Sequence, residues 1–238
     1  MNIWIFAGMA DKSDILLYLS KLVTSSGKRV LLVDATRLGR YQYSIPKLGL
    51  FLQITQFAGF DVAEGFQHYN QLSGYLEEQG MRMEEAYDYV LIDLEVEQFA
   101  DAELFRSAAA RVWVSDYGRM QLERGRKWLE NQIETGLIER DSPFYSVYVQ
   151  TVDSQLHNHY LTSYLAKCGI MWHPELTFLP LDESNVALRL ENEHNQSLRI
   201  KPLSRRYKRE LRQLVSRLTG WEERYSRRLW KIAERRQA

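Results

Sequence analysis

Apolar and polar residues along this chain alternate between two kinds of run. Short stretches with almost no polar position, at 2–7 (NIWIFA), 29–33 (RVLLV), 87–93 (YDYVLID), 111–115 (RVWVS), 145–150 (YSVYVQ) and 176–179, read as strands buried on both faces. Between them lie stretches with apolar residues three and four apart. Over 13–26, Ile15, Leu16, Leu19, Leu22 and Val23 share one helical face, closed by Ser25, Ser26 and Gly27. Helices are also expected over 72–85, interrupted by Gly80, in a short piece before 111, and over 120–135. Another is expected over 204–218, where Tyr207, Leu211, Leu214, Val215 and Leu218 form a stripe. The stretch 35–71, with Pro46 and glycines at 39, 49, 59 and 65, predicts loop and short helices.

Strands in alternation with helices predict an α/β fold of three layers: a mostly parallel, doubly wound sheet with helices on both faces. No internal repeat and no linker before about residue 219 are visible, so 1–219 reads as one domain and 220–238 as a basic amphipathic C-terminal helix. The 238 residues are 45% hydrophobic and 26% charged, which excludes collagen-like, low-complexity and wholly disordered classes. Cys168 is the single cysteine, so no internal disulfide forms and a reducing compartment is expected. The apolar run 3–10 is far below the roughly 20 residues of a membrane span. It is also followed at once by Asp11, Lys12 and Asp14, unlike a secretory leader. A cytoplasmic protein is expected. The net charge of zero conceals a split: residues 199–238 hold fourteen Lys and Arg against four Glu, a surplus of ten that the rest of the chain balances.

In an open parallel sheet, ligands bind beyond the carboxyl ends of the strands, and three features converge there. After the first strand comes Phe6-Ala7-Gly8-Met9-Ala10-Asp11-Lys12-Ser13, leading into a helix. A phosphate-binding loop needs glycines for its wrapping amides, a Lys for the outer phosphates and a Ser or Thr hydroxyl for Mg²⁺. Lys12 and Ser13 are in register, but the two glycine positions hold Phe6 and Asp11. On the motif alone, a plain turn at Gly8 with Lys12 and Ser13 starting a helix is the better explanation of the loop. Asp34 and Asp93 each end an apolar strand on the same edge, where a lone Asp would be an ordinary helix cap or turn former. A dinucleotide site would need G-x-G-x-x-G after the first strand, and only Gly8 is there.

AGMADKSDILLYLSKLVTSSGKRVLLVDAT resembles the opening of the MinD/ParA ATPases, whose deviant phosphate loop carries a second, signature lysine. YDYVLIDLE resembles their second aspartate strand, VYVQTVD the strand that ends near the base, and FLPLDESNVALRLENEHNQSLRI their Pro-x-Asp segment beside adenine. The resemblance spans about residues 1–220. It implies ATP and Mg²⁺ as cofactors, with Gly8, Lys12, Ser13 and Asp34 around the phosphates, Asp93 beside them, and Pro180 and Asp182 on the base side. Mg²⁺ would be held by Ser13, Asp34 and Asp93, with Asp34 the catalytic residue if any is. The departures imply the opposite of turnover. Ala7 stands at the signature lysine, Asp11 at the last loop glycine, Thr36 at a second aspartate, Glu95 and Glu97 at the switch Pro and Gly, and Gln150 at the adenine-side Asn. A carboxylate about 4 Å from a phosphate costs roughly 4 kcal/mol at an effective dielectric near 20. A missing transition-state cation costs about 10³–10⁵ in rate. Arg37 and Arg40, just after Asp34, are placed to stand in for the missing charge.

The expectation is therefore a degenerate relative that does not hydrolyse ATP, or does so very weakly. It would act as a homodimeric or partner-bound scaffold for a membrane-associated machine, as in the TadZ/CpaE-like pilus proteins it also resembles. The rivals are an active switch ATPase that cycles on and off the membrane, and a DNA-binding partition protein. In the tail, Trp221, Tyr225, Leu229 and Ile232 make one stripe with Trp230 at its edge, flanked by Arg228 and other arginines. Such a helix suits an anionic membrane interface or a partner groove, and equally the chain's own sheet; nucleic acid is disfavoured by the tryptophans. The pair His157 and His159, near Asp153, has no third ligand at metal-site spacing and reads as surface, and Cys168 reads as a small buried apolar residue.

Overall fold

The computed structural model describes residues 1–46, 53–156, 158–166 and 168–235. In chain order the elements are β1 (Asn2–Ala7), α1 (Ser13–Thr24), β2 (Val30–Ala35), β3 (Ile54–Phe57), β4 (Phe60–Ala63), α2 (Tyr69–Glu78), α3 (Met83–Ala86) and β5 (Tyr89–Leu94). Then follow α4 (Ala102–Ser107), β6 (Ala110–Ser115), α5 (Arg119–Glu134), β7 (Pro143–Thr151), α6 (Asn158–Leu165), β8 (Met171–Pro180), α7 (Glu183–His194), α8 (Arg205–Thr219) and α9 (Glu223–Arg235). The strands form an 8-stranded sheet in the order β3-β4-β2-β5-β1-β6-β7-β8. All pairs are parallel except β3 with β4.

The unbroken apolar runs are explained by the two cores. Trp4, Phe6, Leu32, Leu91 and Val112 face one side, under α1, α7, α8 and α9. Ile3, Ile5, Leu31, Val33, Val90 and Ile92 face the other, under α2 through α6. Nearly every position of the central strands β1, β2, β5 and β6 is thus buried by one layer or the other, and alternation has no polar side to show there.

Three expectations change. Residues 35–71 hold a β-hairpin, β3–β4, that the pattern did not reveal. Its two-residue turn, Ala58 and Gly59, has φ of 51° and 93°, a conformation usually signalled by Asn-Gly or Asp-Gly. Gly49 falls in 47–52, outside the described residues. β8 extends from Met171 rather than 176, as an edge strand whose exposed first half hides it from a burial pattern. The tail is the third. Gly220, at φ 73°, ends α8 in a left-handed cap, and α9 then lies back on α1 and α8. Leu229 and Trp230, which suited a membrane, a partner groove or the chain's own sheet equally, are 2% and 4% exposed in the chain's own core, with Trp221 and Ile232 packed against it. The polar contacts agree: Ser216 and Ser226 hydroxyls pair at 2.7 Å, and Glu234 receives Lys208 at 2.6 Å and the Trp230 indole N–H at 2.9 Å. Tyr225 and Arg228 stay outside. No described helix is long and apolar enough to cross a membrane.

Candidate functional site: the loop after the first strand

β1 lies mid-sheet between β5 and β6, so the loop that follows it sits between the ends of both. Gly8 has φ 134°, and a Cβ there would lie 2.0 Å from the Val114 carbonyl oxygen of β6. Glycine is required by that close backbone approach, whatever else the loop does. The chain then turns into α1, with Lys12 at its N-cap.

Lys12 is 0% exposed. Its ammonium lies 2.7 Å from Asp93 Oδ1, donates to the Gly8 carbonyl at 3.3 Å and stands 3.9 Å from Glu95. The other Asp93 oxygen accepts the Tyr41 hydroxyl at 2.8 Å. Asp34 and Asp93 are register partners on β2 and β5, which places both carboxylates on one edge with Lys12. Asp34 accepts from the Thr36 amide at 2.9 Å, the Thr36 hydroxyl at 2.6 Å and the Tyr41 amide at 3.2 Å. Burial still pushes its carboxyl above the usual range.

Asp11 accepts from the Ser13 hydroxyl at 2.7 Å and the Ser13 amide at 3.1 Å. Arg40 reaches Asp11 at 3.1 Å with one guanidinium nitrogen and Glu95 at 3.0 Å with another. Burial opposes ionisation of Asp11, but the two bonds from Ser13 and the guanidinia of Arg40 and Arg189 outweigh it and hold the carboxyl below its ordinary value. Arg37 does not arrive: it is 66% exposed and pairs with Glu97 at 3.5 Å.

Pro180 and Asp182 line a cleft of about 70 Å³ with Asp11, Asp14, Gln150, Arg189 and Tyr207, so the base-side residues do meet the loop. Asp182 is spent as the α7 cap, accepting from the Ser184 hydroxyl and the Ser184 and Asn185 amides. A larger cleft of about 540 Å³ opens beside Asp34, walled by Thr36, Phe66, His68 and Phe99. Tyr41 and Glu95 complete the site, and sequence reasoning assigned neither to it. Tyr41 lies in an irregular loop where no spacing marks it, and Glu95 was visible only as a departure from a motif.

No protein-family model matches the sequence, and no curated protein is significantly similar to it. Solved structures do match. The chain superposes on MinD of Aquifex aeolicus with TM-score 0.62 and 12% identity, covering 93% of this chain and 98% of that one. The fold is that of the MinD and ParA ATPases. A ParA family ATPase of Chlorobium tepidum matches at TM-score 0.55 and 11% identity, over 98% of this chain and 99% of that one. A McdA–ATP complex from Cyanothece matches at 0.61 and 12%, over 93% and 97%. The MinC:MinD complex of Aquifex aeolicus matches at 0.60 and 12%, over 93% and 97%.

On this MinD/ParA-like sheet the residues, as they are arranged, do not fit Mg-ATP. The Lys12 ammonium and the Ser13 hydroxyl are taken by carboxylates of the chain itself, and Asp11 adds a negative charge where phosphates would lie. Among the described residues no group of three or more His, Cys, Asp or Glu is placed to hold a metal. His157 is outside the described residues.

Proposed function

We propose that this chain is a non-hydrolysing protein of MinD/ParA-like fold that works in the cytoplasm as a positioning scaffold for a membrane-associated assembly, as a homodimer or with a protein partner. The observation that carries the reading is the state of Lys12: fully buried, its ammonium is paired with Asp93 at 2.7 Å and bonded to the Gly8 carbonyl at 3.3 Å, so its charge is already met by the chain's own carboxylate. Ala7 supports it, because the position where a second lysine would act is a fully buried methyl group in the core. That a MinD of this fold is known in complex with MinC supports a partner-binding role. With α9 folded inward, its contact to anything outside runs through Arg224, Arg227, Arg228 and Lys231 rather than through the tryptophan stripe.

The test is turnover, calorimetry and mass. Wild type and Lys12→Ala should show the same background phosphate release, no binding heat at millimolar Mg-ATP and an oligomeric mass by light scattering that nucleotide does not alter. Turnover in the wild type that Lys12→Ala abolishes, or a mass that Mg-ATP changes, refutes the reading in favour of a switch ATPase.

A further inference from the structure

We propose that Asp11 and Arg40 form a clasp that closes the nucleotide cradle from within, Asp11 serving as its anion and Arg40 binding the loop at 36–43 to it. The inference deepens the non-hydrolysing reading above and rests on it.

Three loops leave the carboxyl ends of neighbouring strands here: 8–12 after β1, 36–43 after β2, and 95 onward after β5. In nucleotide switches such loops are tied together by a phosphate and its cation, and they loosen when these leave. In this chain the same tie is covalently part of the protein. Asp11 lies at the start of α1 and takes both donors of Ser13, the amide and the hydroxyl, that an anion at a helix N-terminus would take. Arg40 then does what a divalent cation would do between oxygens of different loops. Its planar fork reaches Asp11 at 3.1 Å and Glu95 at 3.0 Å at the same time.

The loop that carries Arg40 has little else of its own. It contains one short 3-10 turn, Arg40–Tyr43, entered through Gly39 at φ 58°. Tyr41 is buried and bonds Asp34 and Asp93, and the Arg40 amide bonds the Thr36 hydroxyl at 3.2 Å. Those bonds hold the loop to β2 and β5. The Arg40 side chain bridges 36–43 to the 8–12 loop, and Arg37, three residues earlier, makes no such contact. The clasp therefore keeps the three loops in one arrangement at all times, and a partner that reads them needs no nucleotide.

Hydrogen exchange on the full-length protein tests this. Arg40→Gln removes the fork. Asp11→Asn retains an acceptor for Ser13 but loses the charge that holds the guanidinium. In both variants, amides at 36–43 should exchange about tenfold faster or more, the change expected for losing a charge-assisted contact, and the double variant should be no faster than the worse single one. Arg37→Gln should match wild type, and Arg40→Lys should recover part of the protection. Because Asp11→Asn keeps the loop geometry, it remains informative should Arg40→Gln fail to fold. Unchanged exchange in Asp11→Asn and Arg40→Gln, or an equal loss in Arg37→Gln, overturns the clasp. Millimolar Mg-ATP should leave exchange at 36–43 unchanged in wild type. If it slows exchange there, nucleotide enters the cradle and the clasp falls, and phosphate release by the wild type then decides the non-hydrolysing reading separately; if it does not and the variants stay protected, the clasp alone falls.

Discussion

Asp14 shows what one residue owes to its surroundings. In sequence it is an unremarked acid in the first turn of a helix, a place where carboxylates are favoured by the dipole. In the fold it sits beneath the loop beside Asp11, with the Tyr207 hydroxyl 3.3 Å away and the Ile15 amide at 2.8 Å. Burial, and then the Asp11 charge, push its carboxyl up to about 6. An unfolded Asp titrates near 3.9, so between about pH 4 and 6 the native state binds more protons than the unfolded one. Stability associated with this group is therefore present below about pH 4 and lost as pH rises through 6. Asp14→Asn should raise stability at pH 8 by about 1 kcal/mol after allowing for solvent screening, and the gain should vanish by pH 4. Urea midpoints of both proteins across that range check it; a gain independent of pH refutes the assignment. Gly8 teaches the reverse lesson. Its identity was legible, but the cause was not, since a neighbouring carbonyl on β6 demands the glycine.

At the scale of elements, periodicity located the buried strands and the helices over 13–24, 119–134 and 205–219 to within a few residues. These elements bury a regular set of positions, and that set is written into local spacing. It failed where a partner defines the element: the β3–β4 hairpin exists through pairing with β2, across chain separations that local composition does not encode. The C-terminal helix shows the same limit. Its stripe specifies a helix with one apolar face and says nothing of what covers that face. Here α1 and α8 do. Trp230→Ala should consequently cost about 3–5 kcal/mol, whereas Arg228→Ala, on the exposed face, should stay within about 0.5 kcal/mol of wild type. Thermal and chemical denaturation measure both. A Trp230→Ala variant as stable as wild type means that the helix is undocked in solution and its stripe is free for a bilayer.

For the whole molecule, the charge split has a consequence that no single element shows. Overall neutrality at pH 7 removes net repulsion between copies, while the surplus of ten positive charges in 199–238 is matched by an equal acidic surplus in the remainder, so two copies attract wherever unlike regions approach. Light scattering at pH 7 should show self-association at about 20 mM salt that disappears near 0.5 M, where the Debye length falls to a few ångströms. Scattering insensitive to salt contradicts that account.

By itself the sequence determined the α/β class, the parallel central strands, the order of Lys12, Ser13, Asp34 and Asp93 along one sheet edge, and the departures at Ala7 and Asp11. The class, the strands and that order follow from local spacing, because a strand buried on both faces and a loop between strand and helix leave their signatures within a few residues; the departures are legible only against the loop of the family the sequence resembles. Only the tertiary structure decided what those residues do. That Lys12 is spent on Asp93, that Arg40 rather than Arg37 reaches Asp11, that Tyr41 joins the two aspartates, and that the tryptophans of α9 face inward are all contacts between distant segments. The physical reason is that a charge or an apolar face specifies only the kind of partner it needs, and the chain's own folding brings a partner of that kind to it first.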